Sequence, residues 1–590
     1  MALTPAIFVL GPSARDLGAR LASHLGGTLI EPKDLRGELH RAFRQGSPII
    51  GLCASAILIR LLAPLLVDKL TEPPVIAVAE DGSVAVPLLG GHHGANDLAR
   101  RIVAFTGGSA AITTASDLRF GISLDKPEGY VLANPEHLKI FLAKLLAGGK
   151  ISVKGEAAWV SALPRAAEAE LSLFITEYAM PGHEYGLVYH PQTLALGIGC
   201  ERGTPPDELL RSVTETLAAQ GLAPGAIACI ASLDLKADEP AVNELARHFG
   251  VPARFFSSPE LNEETPRLKN PSETVLREVG CPGVAEAAAL RAAGKDGELI
   301  VEKTTRGRTT CAIARAPRPI DPNSIGHGRG SLSIVGIGPG SVEWRSPAAQ
   351  VTLCRATDWV GYDLYLDLIG DLRRQQREHR FSLGDEKARA LHALNLAGGG
   401  RDVALVCSGD AGIYAMAALV FELLDPSSHA SVADAARRIA IEVIPGISAF
   451  QAAAARAGAL IGHDFCAISL SDLLTPWQII EKRVRAAAEG DFVVAFYNPR
   501  SLKRADQLER AMAILKPYRH PGTPVIVASN LGRPGEKSRI ARFGELDASD
   551  IDMLTIVLVG SASSRSFSRG DGSTVAYTPR GYAAKPRAQP

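Results

Sequence analysis

Glycines 336, 338 and 340 form G-x-G-P-G directly after the apolar run SLSIV. Glycine lets backbone N–H groups approach a ligand with no Cβ in the way, and Pro339 stiffens the turn. Position 341 is Ser, so the dinucleotide fingerprint G-x-G-x-x-G is not completed, and a tight strand-to-helix turn accounts for the loop equally well. Further loops of this kind follow. Ser408-Gly409-Asp410-Ala411-Gly412 comes after VALVC, and Asp410 suits either ligand hydroxyls and amines or an Asx turn. Pro445-Gly446-Ile447-Ser448-Ala449 follows IEVI, with Ser448 placed as a helix cap. Tyr497-Asn498-Pro499 follows FVVAF, Asn530 and Gly532 follow PVIVAS, and LTIVLVGS ends in the same style. Singly these are turn residues. In this order and spacing they make one receptive edge for a ligand.

The first half holds a different set. Gly90-Gly91-His92-His93-Gly94-Ala95-Asn96-Asp97 joins an apolar run to a helical one. Adjacent histidines on extended backbone point apart, and Asp97 is the one carboxylate at ligand spacing, so no metal is expected. Asn96 or Asp97 capping the next helix is the plain reading. In Ile198–Pro205, Thr204 suits a helix N-cap and Pro205 the first helical position, which leaves Cys200 and Arg202 at a sheet edge. No His is tied by sequence to Cys200 as a nucleophile's base.

The elements that must position these residues alternate. AIFVLG, ARDLGARLASHL, VIAVAEDGSVAVPLL with an Asp81-Gly82 turn, and GANDLARRIVAF read as strand, helix, two strands and helix. TLALGIG, PDELLRSVTETLAAQG, AIACIASLD, PAVNELARHFG and ARFFSS repeat the alternation. Strands alternating with helices imply an α/β chain with parallel or mixed sheets, and such sheets take ligands at the carboxyl ends of their strands. The Pro-, Gly- and Arg-rich stretch near 314–330 reads as a linker. The expected organisation is 1–125, a middle region 126–192, 193–315, a linker 316–330, and two lobes at 331–440 and 441–590.

The 590 residues carry 63 Lys+Arg against 63 Asp+Glu, so no basic field favours nucleic acid, and 5% aromatic residues speak against a base-stacking surface. Eight scattered cysteines without a CxxC pair exclude a disulfide scaffold and fit a reducing cytoplasm. The opening MALTPAIFVL lacks the basic n-region of a signal peptide. Residues 49–67 are apolar enough to span a membrane, but Arg60 and Pro64 interrupt them, so a strand followed by a helix is expected and no membrane partner.

The segments VGIGPGS (335–341), VGYDLYLDLI (360–369), CSGDAGIYAMA (407–417), VIPGISAFQAAAARAGA (443–459), HDFCAISLSDLLTPW (463–477), FYNPRS (496–501) and TPRGY (578–582) resemble the tetrapyrrole methylases. Within that family they are most similar to the precorrin-3B C(17)-methyltransferases of cobalamin biosynthesis. The resemblance implies a two-lobed fold, S-adenosylmethionine as cofactor, a tetrapyrrole as substrate, and a homodimer through this half. It implies a cleft shaped by Gly338, Pro339 and Gly340. Ser408, Gly409, Asp410, Ile413 and Tyr414 would lie near the methionine and ribose, Ser448 and Ala449 beside the sulfonium, and Asn498 and Asn530 on the adenine side. Methylation coupled to ring contraction needs a proton carrier, for which Tyr497 and Asp472 are candidates.

Residues 59–99, 112–117 (ITTASD) and 196–205 (LGIGCERGTP) resemble the family that hydrolyses cobalt-precorrin-5A, opening a lactone; Gly90 stands where that family usually has Ser. For such a reaction His92 or His93 would serve as base, and Lys69, Asn96 and Arg202 as carboxylate or oxyanion anchors. Two other readings remain: a Rossmann-type oxidoreductase, disfavoured by the missing third glycine, and a first half that binds the macrocycle without catalysis.

Overall fold

The computed structural model describes residues 5–67, 72–91, 94–113, 119–373, 375–428, 431–500, 506–548 and 551–582. The chain forms two compact units, Met1–Arg329 and Gly330–Pro590.

The first unit contains three sheets. In the first, Thr28–Ile30, Ala6–Val9, Ile49–Leu52 and Val75–Val78 run parallel, each of the last three fully buried. The apolar stretch at 49–67 resolves into that buried strand and the helix Ser55–Leu62, which turns Leu58 and Leu62 inward. No helix among the described residues is long and apolar enough to cross a membrane. The Asp81-Gly82 turn reverses the chain, so Val84–Leu89 runs antiparallel, with Leu89 opposite Val75. That reversal puts Gly90 at the amino edge of the parallel strands, against Pro74, not at their carboxyl edge. The second sheet orders Tyr130–Leu132, Gly186–Pro191, Leu171–Ile175 and Ile151–Lys154.

The third sheet places the parallel strands Ala253–Phe256, Ile227–Leu233 and Leu194–Cys200 beside the antiparallel hairpin Thr309–Arg315 and Glu298–Arg306. The alanine-rich helix Val284–Ala293 lies directly on it. A Cβ at Gly197 would fall 1.8 Å from Ala285 O, so that contact requires glycine. The stretch expected as a linker is bonded to this sheet as far as His327. Ala316 N donates to Thr193 O, Ile320 N to Gln192 O, and Phe255 and His327 exchange two backbone bonds. The physical reason is edge protection: the outer strand Ala253–Phe256 otherwise exposes a row of unpaired groups.

In the second unit, Arg377–Phe381, Asp358–Tyr362, Asp402–Cys407, Ser331–Gly336 and Ala440–Ile444 form one wholly parallel sheet in that order. A second sheet orders Phe465–Ser469, Val493–Tyr497, Thr555–Val559, Pro524–Ser529 and Lys537–Arg542. Here Thr555–Val559 runs antiparallel to both its neighbours. Its amino end therefore shares an edge with the carboxyl ends at Ser469, Tyr497 and Ser529, and the loop after LTIVLVGS lies at the far edge.

Candidate functional site

Three strand-end loops of the parallel sheet meet backbone to backbone. Gly338 and Gly409 exchange N–H···O bonds of 3.1 and 2.8 Å. A Cβ at Gly446 would stand 2.1 Å from Gly409 O and 2.7 Å from Gly336 O, and one at Gly336 would stand 2.7 Å from Gly409 O. Asp410 ties the junction: Gly412 N donates to its Oδ1 at 2.8 Å and Gly446 N to its Oδ2 at 3.0 Å. These glycines serve loop-on-loop contact first. Gly338, at φ +77°, and Gly340, against Arg533, shape the turn without lining the cleft beyond it.

That cleft has a volume of about 220 Å³ and is bounded by the two five-stranded sheets of the unit. From the parallel sheet come Pro339, Ser408, Gly409, Asp410, Ile413, Tyr414, Ser448 and Ala449; from the other come Tyr497, Asn498 and Asn530. The fold thus gathers residues more than 190 positions apart in sequence at one surface. Tyr365, Leu531, Arg533 and the stretch Met553–Ile556 line it as well, and the sequence reading missed them. Tyr365 lies inside the quoted GYDLYLDLI motif and so had a signal; Arg533, three residues beyond Asn530, had none. Met553–Ile556 needed the antiparallel sense of their strand.

Backbone strain concentrates here. Of the four non-glycine residues with positive φ among the described residues, Tyr414, Asn498 and Asn530 line the cleft. Asn tolerates that region; a Tyr held there costs on the order of 1–3 kcal/mol. The Tyr414 hydroxyl repays part of this by donating to Ala467 O at 2.9 Å and accepting from Ser469 N at 3.2 Å, which bridges the two sheets. Ser448, 1% exposed, caps the helix Ala449–Ala457 in a capping box with Gln451, the cap its sequence position predicts. Gln451 Oε1 accepts from Ser448 N at 2.9 Å as the other half of that box, and the Tyr497 hydroxyl accepts from Phe450 N at 3.4 Å. Burial pushes the Tyr497 phenol up to about 12, so it is a proton donor and not a base at neutral pH.

Asp472 does not line the cleft; its Oδ2 accepts from Gln507 Nε2 at 3.1 Å. Its role as proton carrier loses its geometric support, because Gln507 starts the helix Gln507–Leu515 on the second sheet's flank.

In the first unit, Asn96 is buried in the first turn of the helix Ala95–Thr106, whose N-cap is Gly94 at φ 94°, and Asp97 pairs with Arg100 at 2.7 Å. Neither side chain is the expected cap. Lys69, His92 and His93 lie outside the described residues. Arg202 donates to Asp238 Oδ1 at 2.6 Å and to Leu235 O at 2.9 Å, and the fully buried Glu239 accepts from Gly203 N at 3.0 Å. The Asp238 carboxylate holds the Arg202 guanidinium above its ordinary pKa. Burial pushes the Cys200 thiol up, which disfavours a nucleophilic thiolate. Pro205 is the N-cap of the helix Pro206–Ala219, and Thr204 Oγ1 donates back to Glu201 O at 2.8 Å, one residue off the expected cap register.

Comparison with known proteins places these units. Family models described as cobalamin synthesis G N-terminal and cobalamin synthesis G C-terminus match residues 38–117 and 194–314. One described as tetrapyrrole (corrin/porphyrin) methylases matches residues 331–547. A precorrin-3B C(17)-methyltransferase of Sinorhizobium sp. is 41% identical over 256 residues, which are 43% of this chain and 98% of that protein. The cobalamin biosynthesis protein CobIJ of Mycobacterium tuberculosis is 40% identical over 263 residues, 44% of this chain. The chain spans 50% of the length of that relative. A crystal structure of the methyltransferase CobJ is 40% identical, with all of that chain and 42% of this one covered, at a TM-score of 0.39.

Proposed function

Since the chain belongs to the tetrapyrrole (corrin/porphyrin) methylase family, we propose that its second unit methylates C17 of precorrin-3B or its cobalt counterpart, with ring contraction, from S-adenosylmethionine. The first unit, in the same reading, opens the lactone of cobalt-precorrin-5A, and the chain works in the cytoplasm as a homodimer through the methylase half. The observation that carries the methylase reading is one cleft bounded by strand-end loops of two sheets, where Gly409, Asp410, Ser448, Tyr497 and Asn498 meet.

When bound, S-adenosylmethionine supplies an electrophilic methyl group on a sulfonium. Gly409 and Asp410 would hold its polar end, and Ser448 and Ala449 would flank the sulfur-bearing part. Asn498 and Asn530 present amides to the opposite end, with Asn498 braced by Ser469 at 3.1 Å. Leu531, Met553, Leu554 and Ile556 give the cleft one apolar side. Fixed in-line geometry in such a cleft supplies most of what a methyl transfer needs. Tyr497, protonated at working pH, is the candidate acid for the proton steps of contraction. In the first unit, the base would come from His92 or His93, with Lys69, Asn96 and Arg202 as anchors. Asp238 already occupies one arm of Arg202, so a substrate carboxylate must share that guanidinium.

The test is incubation of the full chain with methyl-labelled S-adenosylmethionine and precorrin-3B or its cobalt form. One labelled methyl per macrocycle with a changed absorbance spectrum is expected. Absence of transfer to both macrocycles overturns the methylase reading, and absence of lactone opening on cobalt-precorrin-5A overturns that of the first unit.

A further inference from the structure

The loop after Pro524–Ser529 carries a cation whose hydrogen bonds are only partly spent inside the fold. Arg533 Nε donates to Pro339 O at 2.7 Å and Nη2 to Ser408 Oγ at 2.8 Å. Both acceptors are neutral, and the guanidinium pairs with no carboxylate among the described residues. Five N–H bonds are available on a guanidinium, so three are left. The group faces the cleft and is half-buried, and burial pulls its pKa down. A cation taken partly out of water with no counter-charge is costly unless an anion arrives.

Asp410, the one carboxylate among the cleft's lining residues, forms no ion pair with Arg533. Asp410 already accepts from Gly412 N and Gly446 N. Burial pushes the phenols of Tyr365, Tyr414 and Tyr497 upward, so they stay neutral.

The arm is also held in place. Glu536 accepts from Gly532 N at 2.8 Å and pairs with Arg456 Nε at 2.7 Å, and Arg456 lies over the Trp344 ring at 4.5 Å. A Cβ at Gly340 would meet Arg533 Cγ at 2.4 Å, so the glycine at 340 keeps the arm's path open. A long side chain braced at its root and bonded along one edge presents its remaining edge in a fixed direction, the arrangement that favours planar carboxylate recognition.

We propose that Arg533 is a specificity-determining residue that receives a carboxylate of a bound ligand. The inference rests on the methylase reading, under which two carboxylates are available: that of the cofactor's amino-acid end and an acid side chain of the macrocycle. The experiment uses the full-length chain and its R533Q and R533K variants. Calorimetry measures S-adenosylhomocysteine, which has the amino-acid end, and 5′-methylthioadenosine, which lacks it; steady-state kinetics give KM for the tetrapyrrole.

If the cofactor is the source, R533Q weakens S-adenosylhomocysteine at least tenfold and leaves methylthioadenosine within twofold. If the macrocycle is the source, both thioethers bind as in wild type and KM for the tetrapyrrole rises at least tenfold. In either case R533K, which keeps the charge without the fork, falls between wild type and R533Q. Equal weakening of both thioethers by R533Q overturns the inference, since the arm would then merely shape the cleft; so does a change below twofold in every quantity. A wild-type chain that binds neither thioether removes the cofactor reading itself and the inference with it.

Discussion

Replacing Gly446 by Ala tests whether the loop junction builds the cleft. The added methyl would sit 2.1 Å from Gly409 O and 2.7 Å from Gly336 O. Both are backbone atoms in paired loops, so neither can swing away as a side-chain end would. To reach an ordinary contact, the Gly409 carbonyl and the Gly446 backbone must separate by about 1 Å, an overpacking strain of about 1–3 kcal/mol. The same movement breaks or stretches the Gly446 N to Asp410 bond and shifts Ser448, beside the proposed sulfonium, relative to Gly409 at the cofactor's polar end. A 1 Å misplacement costs on the order of 100-fold in a positioned reaction. Gly446→Ala is therefore expected to lower methyl-transfer kcat/KM about 100-fold and S-adenosylhomocysteine affinity about tenfold or more. Gly370→Ala is the control, because a Cβ there meets nothing within 4 Å. Calorimetry and initial rates on both variants decide the matter. An alanine at 446 that binds and turns over within twofold of wild type refutes the reasoning about loop contact.

Tyr497→Phe removes the hydroxyl that accepts from Phe450 N, and denaturant unfolding should register a loss of about 1 kcal/mol. With the phenol pushed up to about 12, the wild-type rate should show no basic limb from this group between pH 7 and 9; an inflection there that disappears in Tyr497→Phe contradicts the assignment. Away from the cleft, His392 contacts His379 at 2.9 Å, and His379 contacts the fully buried Asp358 at 2.9 Å. Burial and His379 pull the His392 imidazole below its ordinary value near 6.5, so the unfolded chain takes up the proton first and stability falls as pH drops below about 6.5. His392→Gln should flatten Tm against pH between 7 and 5; an unchanged slope would falsify this. Burial opposes ionisation of Asp358, yet bonds from His379, Thr357 and Arg401 hold its carboxyl below the usual range. Its contribution is full above about pH 4 and lost as pH falls through the folded value, and Asp358→Asn at pH 7 should cost about 3 kcal/mol by leaving Arg401 without its anion. Asp472→Ala, off the cleft, should leave S-adenosylhomocysteine affinity within twofold, as titration will report.

Most of the second unit's cleft was legible because short continuous apolar runs and glycine turns locate strand ends, and parallel strands bring those ends to one edge. What the residues could not disclose was strand sense. Thr555–Val559 reads like its neighbours but runs the other way, so Met553–Ile556 and not Gly560 border the cleft. At Asp81-Gly82 the sense was legible, since that dipeptide suits a tight hairpin, and the reversal of Val84–Leu89 carries the Gly90 loop to the amino edge of its sheet. Glycine reports a backbone that something approaches closely, but not what approaches it. At Gly336 and Gly446 it is another loop, at Gly340 it is the Arg533 side chain, and at Gly197 it is a helix. Arg533 escaped notice because a lone cation in a turn has no spacing rule. Its meaning came from Pro339 and Ser408, which lie 194 and 125 residues away.

The most direct measurement is a crystal structure of the full chain grown with S-adenosylhomocysteine. The account predicts one molecule in the cleft, its sulfur beside Ser448 and Ala449 and its adenine toward Asn498 and Asn530. Density for the thioether anywhere else, with this cleft filled by the chain's own side chains, contradicts it.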